Sequence, residues 1–288
     1  MKVIKTIKEL RSQLIGQSRI AFVPTMGHIH EGHLSLIRQA KLHGDPVICS
    51  IFINPLQFGK NEDFNCYPRS LTNDISKLNS EGIYVVFTPT VSEMYPQNQE
   101  FCVLPPKDLS KILEGKYRTD FFMGVTTIVL KLFQCVQPRF AIFGKKDYQQ
   151  LLIVKRMCDQ FFINTKIIAA ETVRDEDGLA LSSRNTYLDK SERKKAPLLF
   201  ESITKASKEI QRLSVIKKLN TNSLLSVELE TQKLLDTNGW NTEYVKIRSQ
   251  RNLTKLNDGE LKMNSNLVIL AASWLGSTRL IDNLEFSI

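Results

Sequence analysis

Histidine is scarce in this chain, four among 288 residues, and cysteine is little used. Cys49, Cys66, Cys102, Cys135 and Cys158 are scattered, odd in number and without a C-x-x-C pair. That pattern argues against a zinc finger or a disulfide framework, so a reduced, cytoplasmic protein is expected. Three of the five sit in apolar periodic segments, where a buried thiol is the ordinary reading. No apolar run reaches the roughly 18 residues that a membrane span needs. The amino-terminal MKVIKTIKELRSQL alternates lysine with apolar residues and reads as a helix, not as a secretion signal. Two common nucleotide motifs are missing as well. Without G-x-x-x-x-G-K-[ST], and without G-x-G-x-x-G behind a strand, any phosphate chemistry belongs neither to P-loop enzymes nor to dinucleotide dehydrogenases.

What is present suits a soluble globular protein, with 42% hydrophobic and 24% charged residues. The net charge of +9 favours anionic partners. The basic stretch around SERKKA reads more simply as a solvated helix face than as a nucleic-acid site, for no aromatic run or basic tail accompanies it. Neither nucleic acid nor membrane is therefore expected as a partner.

Apolar runs at 20–24, 47–53, 84–89, 140–144 and 166–173 alternate with segments of helical periodicity. Near-continuous apolar strands separated by helices predict an α/β fold, a Rossmann-like parallel sheet with helices on both faces. Ligands of such sheets bind beyond the carboxyl ends of the strands. After about residue 185 the texture changes to two helical stretches, 190–213 and 221–237. Three antiparallel strands follow, EYVKIRS, NLVILAASWLG and TRLIDNLEFS. The expected division is a domain of residues 1–185 and a smaller α+β domain of residues 186–288 that closes over the site.

Three of the four histidines, His28, His30 and His33, stand together at the first strand-to-helix junction. His30 and His33 fall on one face of the helix start, where free N–H groups and the positive dipole end favour phosphate. Histidine there can donate to phosphate oxygens and gain charge as negative charge develops. Metal binding and an incidental surface role compete with this reading, although HEGH lacks the spacing of H-E-x-x-H. NPLQFG follows the second strand, and its Asn54 and Gln57 suit hydroxyl or carboxylate recognition. FGKKDYQQ brings Gly144, Lys145, Lys146 and Asp147 to a later strand end. There lysine suits a phosphate, and aspartate a ribose hydroxyl or an N-cap. GLALSSRN adds Ser182, Ser183 and Arg184 as further donors, the fourth such cluster at strand ends of one sheet.

PTMGHIHEGHLSLI, SIFINPLQFG, YPRSLTNDISKL, FTPTVSEMYP, FGKKDYQQL and ETVRDEDGLALSSRNTYL, in this order and spacing, resemble the pantothenate synthetase family. The likeness is strong over residues 20–190. It implies ATP-dependent condensation of (R)-pantoate with β-alanine to pantothenate, AMP and diphosphate through a pantoyl adenylate. It also implies Mg²⁺ with the ATP, a homodimer, and the fold of nucleotidyl-transferases with an H-x-G-H signature, here HEGH. By position, the resemblance makes His30, His33 and Lys146 catalytic, stabilising the phosphorus centre and the departing diphosphate. Met26, His33, Gly144, Lys146, Asp147, Val173, Ser182, Ser183 and Arg184 would bind ATP. Gln57, Gln150 and Asn54 would bind pantoate, and Asp74 would neighbour the metal. Lys145 replaces a residue that is usually Glu in this family, and Asn73 stands where a second Asp is common. His28 is taken as non-catalytic.

Two other readings are carried beside this one. A nucleotidylyltransferase of the same superfamily would share HEGH, but has no reason to carry NPLQFG or DYQQ. A basic nucleic-acid module using residues 190–220 would bind with a steep salt dependence.

Overall fold

The computed structural model describes residues 1–60, 62–262 and 264–288. The chain divides into two compact units, Met1–Val173 and Arg174–Ile288. The first holds six parallel strands in the order β1-β4-β3-β2-β5-β6. These are β1 (Lys2–Ile4), β2 (Ala21–Thr25), β3 (Val47–Ile51), β4 (Val85–Phe87), β5 (Phe140–Gly144) and β6 (Lys166–Ala170). Their main helices are α1 (Ile7–Leu14), α2 (Glu31–His43), α3 (Leu71–Ser80), α4 (Phe121–Val136) and α5 (Tyr148–Gln160).

Both faces of the sheet are covered, because alternate strand residues point opposite ways. Ala21, Val23, Cys49 and Ile142 gather with Ile37 and Ala40 of α2 and Leu78 of α3. The intervening Phe22 and Phe143 meet Phe133 of α4 edge-on, with ring centroids 6.3 and 6.5 Å away. Burying each such side chain is worth about 1.5–3 kcal/mol. Cys49, Cys135 and Cys158 are buried within these layers, as thiols in apolar segments should be.

The amino terminus departs from the expected single helix. Lys2–Ile4 add an edge strand to β4, and only then does Thr6 start α1 by accepting a hydrogen bond from the Glu9 amide. An unpaired strand edge offers a row of backbone partners, which helical periodicity in so short a segment does not outweigh.

The strand order reverses between β2 and β5. From β2 the chain continues on one side through β3 and β4, and on the other lie β5 and β6. The crevice at such a reversal, beyond the carboxyl ends, is where an open α/β sheet binds its ligand.

The second unit packs α6 (Leu198–Val215) and α7 (Thr221–Thr237) on an antiparallel sheet. Its strands, in the order β7-β8-β9, are β7 (Trp240–Ser249), β8 (Asn266–Leu275) and β9 (Thr278–Ser287). Ile203, Ile210, Val227 and Leu235 of the helices share a core with Val245, Ile247, Leu267 and Ile269 of the strands. The helix expected over 190–213 is two, Lys190–Lys195 and α6, with Pro197 at the break.

The boundary lies after Val173, where sequence texture suggested 185. Arg174 explains the difference. It forks onto Asp282 at 2.7 and 2.8 Å, stacks 3.4 Å over the Phe200 ring and bridges to Ala180. Residues 174–185 are thus tied into the second unit before the texture of the sequence changes.

Candidate active site

The histidine loop leaves β2 at Thr25 and enters α2 at Glu31. Gly27 sits at φ +88°, and a Cβ there would lie 2.9 Å from Ile51 Cγ2 and 3.0 Å from Asp74 Oδ2. Backbone freedom and space both demand glycine. Asp74, only 1% exposed, anchors the next two residues of the loop. Its Oδ2 accepts from the His28 amide and its Oδ1 from the Ile29 amide, each at 2.8 Å, and the Ser70 hydroxyl donates to Oδ1 at 2.9 Å. The Lys77 ammonium donates to the Ile29 carbonyl at 2.6 Å.

Asp74 was expected beside a metal. In the fold its oxygens accept from two backbone amides and the Ser70 hydroxyl, which shapes the loop. Among the described residues, no group of three or more His, Cys, Asp or Glu could hold a metal ion. Asp74→Ala strands the buried Ile29 amide, at about 1–3 kcal/mol, and the part-buried His28 amide beside it. Thermal unfolding should therefore come several degrees earlier, and turnover should slow through kcat. A metal ligand would behave differently: its loss would raise the Mg²⁺ requirement and leave the unfolding midpoint in place.

The His30 and His33 rings lie 4.0 Å apart, tilted by 37°. His33 Nδ1 accepts from the His30 amide at 3.4 Å, which leaves the proton of the neutral ring on Nε2. His30 Nδ1 is buried and has no hydrogen-bond partner among the described residues. Burial, then the neighbouring His33, Lys146, His28 and Lys77, pushes the His30 pKa down to about 2. Burial, then Lys146, His28 and Lys77, pushes that of His33 down to about 4. Both rings are neutral near pH 7. In this state both rings offer N–H donors, held neutral by their loss of water and their cationic neighbours.

Gly144 closes β5, and Lys145–Asp147 form one 3₁₀ turn before α5. The Lys146 charge is felt at both histidines, so the ends of the adjacent strands β2 and β5 meet electrostatically. Lys145 is engaged with Glu171, Nζ to Oε1 at 2.6 Å, and its added charge is offset there. Asp147 is exposed and makes no side-chain cap to α5, which disposes of the N-cap alternative. Val173 is half-buried just after β6.

Behind β3, Pro55–Gln57 make a second 3₁₀ turn. The Asn54 amide is 1% exposed and fully engaged. Its Nδ2 donates to Gln57 Oε1 and to the Gly124 carbonyl, both at 3.1 Å. Its Oδ1 accepts from the Leu56 amide at 3.3 Å and from the Tyr95 hydroxyl at 2.7 Å. Asn54, expected to bind substrate, therefore has its amide hydrogen-bonding positions committed within the protein. Gln57 Nε2 reaches Met26 Sδ at 3.1 Å, which joins this loop to the histidine loop. The close fit needs Gly124, where a Cβ would stand 2.2 Å from the Leu56 carbonyl oxygen. Gln150 is half-buried on α5, whereas its neighbour Gln149 is buried and ties Leu109, Ile112 and Glu114 together.

Ser182, Ser183 and Arg184 belong to the second unit and not, as expected, to a strand end of the sheet. There the Ser182 hydroxyl accepts from the Arg184 amide at 3.3 Å and opens the turn Ser183–Tyr187. Sequence pattern singles out neither Tyr95 nor Gly124. FTPTVSEMYP contains Tyr95, but nothing local links it to Asn54.

The model of the pantoate-beta-alanine ligase family matches residues 2–285. The chain belongs to that family. The pantothenate synthetase of Thermus thermophilus is 37% identical, with a TM-score of 0.88 and 99% of each chain covered. The pantoate-beta-alanine ligase of Francisella tularensis, solved complexed with Beta-gamma ATP and Beta-alanine, is 36% identical, with a TM-score of 0.79. That alignment covers 99% of this chain and 97% of the other. Membership of the pantoate-beta-alanine ligase family makes this chain a carbon–nitrogen ligase and sets aside the nucleotidylyltransferase reading.

Proposed function

We propose that the chain activates the carboxylate of (R)-pantoate with ATP and passes the acyl group to β-alanine. A pantoate carboxylate oxygen attacks the α-phosphorus of ATP, the bond to the β-phosphate oxygen breaks, and diphosphate leaves. The β-alanine nitrogen then attacks the acyl carbon of the adenylate. AMP departs with its oxygen, the amine gives up a proton, and pantothenate remains.

One observation carries the assignment: two neutral histidines and Lys146 at the strand-order reversal, joined through Met26 to the Gln57 loop. Charge gathers on phosphoryl oxygens in such a displacement, and positioned donors and cations are the main aid a protein can give. His30, His33 and Lys146 take that role. Gln57 and Gln150 bind pantoate, and Gly144, Asp147, Val173 and Met26 bind the adenosine side. By the family resemblance, Ser182, Ser183 and Arg184 hold the outer phosphates. With Asp74 occupied, Mg²⁺ is read as the counter-ion of the ATP phosphates and not as a protein-held ion. A homodimer and a cytoplasmic setting complete the proposal and rest on the family resemblance. Among the described residues no helix is long and apolar enough to cross a membrane.

Pyrophosphate exchange tests the order of chemistry. Labelled diphosphate should enter ATP when pantoate is present and β-alanine absent, and omitting pantoate should stop it. Exchange that needs β-alanine would overturn the stepwise mechanism, and exchange without pantoate would overturn the substrate assignment.

A further inference from the structure

The amide of Asn54 is the hub of a small relay between Tyr95 and Gln57. Its orientation is set by two backbone groups that cannot change role. The Leu56 N–H needs an acceptor and meets Oδ1, and the Gly124 carbonyl needs a donor and meets Nδ2. The second hydrogen of Nδ2 goes to Gln57 Oε1, and the second lone pair of Oδ1 takes the Tyr95 hydroxyl. Every step runs in one direction, Tyr95 O–H to Asn54 to Gln57. The acceptor end of the Gln57 amide is then occupied, and Nε2 is the end offered outward. Its contact in the structure is the thioether of Met26, a weak acceptor that an oxygen would readily replace.

We propose that Tyr95 is a positioning residue for the acid substrate, holding the Asn54 amide so that Gln57 presents a donor and selects a ligand oxygen that accepts. The inference rests on the assignment of Gln57 to the pantoate pocket. It deepens that assignment, for it makes Gln57 a donor to a pantoate carboxylate or hydroxyl oxygen and removes Asn54 from direct contact. Tyr95 suits the task. Its ring is held between Phe52, at 6.1 Å between centroids, and the Lys131 ammonium, 4.4 Å from the ring centre. Burial raises the phenol well above its ordinary pKa, so the hydroxyl stays a donor at every working pH. Sequence separation hides the relay, since Tyr95 stands 41 residues from Asn54.

The test is a double-mutant cycle on Tyr95→Phe and Gln57→Ala, read in KM for pantoate, KM for ATP and kcat. Tyr95→Phe keeps the ring and its packing and removes one neutral hydrogen bond. Its KM for pantoate should rise about 5-fold, the equivalent of roughly 1 kcal/mol, with KM for ATP and the unfolding midpoint unchanged. Added to Gln57→Ala, it should cause no further loss, because the donor it positions is gone. Gln57→Glu, which turns an acceptor and a negative charge toward the ligand, should fare worse than Gln57→Ala. Effects of Tyr95→Phe that multiply with those of Gln57→Ala, or that fall equally on ATP, would overturn the relay. So would a silent Tyr95→Phe beside a defective Gln57→Ala. A Gln57→Ala enzyme with unchanged KM for pantoate would bring down the pocket assignment itself, and the relay with it.

Discussion

Replacement of His33 by alanine should slow pantoate adenylation by on the order of 10²-fold or more, and His30→Ala should act similarly. The reason lies in the state of the rings. Both are neutral near pH 7, and the Nδ1 of His33 is engaged by the His30 amide, so His33 offers Nε2–H to a developing oxyanion. Alanine removes that donor without removing any charge from the ground state. The defect belongs in kcat of the exchange reaction, and near-normal turnover in either variant would end the phosphate role. The pH profile adds a second check. Because His33 is held at about 4, adenylation should show no histidine limb near 6.5. A limb there that disappears in His33→Gln would mean the imidazolium is the working form. Stability follows the same linkage. The folded values lie below the unfolded one, so below about pH 6.5 the unfolded chain binds protons that the fold excludes. The histidine contribution is whole above that pH, and that of His33 is lost as pH falls toward about 4. His33→Gln should flatten this acid limb by up to about 1.4 kcal/mol per pH unit.

The histidine loop shows which parts of the site a sequence can carry. HEGH, NPLQFG and FGKKD are contiguous, and the near-continuous apolar runs before them announce buried parallel strands whose carboxyl ends hold ligands. Local pattern therefore singled out His30, His33, Gln57 and Lys146 as candidates. The residues that hold these groups in place are encoded at a distance. Asp74 meets the amides of His28 and Ile29 from 46 and 45 residues away, and Tyr95 finds Asn54 across 41 residues of chain. A lone aspartate in YPRSLTNDISKL carries no mark that separates a loop anchor from a metal neighbour. The neutral state of the histidines depends on burial and on cations from other segments, which spacing does not express. Lys2–Ile4 mislead for the opposite reason, since three residues form a strand only because the edge of β4 is there to receive them. The start of the second unit at Arg174 is set by Asp282, 108 residues away.

Lys146→Ala should divide the two halves of the reaction. Formation of pantoyl adenylate should fall by on the order of 10²-fold or more, while transfer of a preformed adenylate to β-alanine should stay within a few-fold. Diphosphate leaves in the first half and not in the second, and it leaves carrying charge. Without ligand both histidines are neutral, so the standing positive charge felt beside them comes from lysine. At about 4 Å and an effective dielectric near 20, one such charge is worth roughly 4 kcal/mol against an oxyanion, enough for the expected loss. Lys145 is the internal control. Its ammonium already pairs with Glu171 at 2.6 Å, so Lys145→Ala should leave both halves within a few-fold. The measurement supplies ATP and pantoate in one arm and pantoyl adenylate with β-alanine in the other. Equal defects of Lys146→Ala in both arms would assign this lysine to binding the adenylate, not to the departure of diphosphate. A collapse of Lys145→Ala would mean that the Glu171 pair opens when substrate arrives, and that this chain has recruited a second lysine to the phosphates.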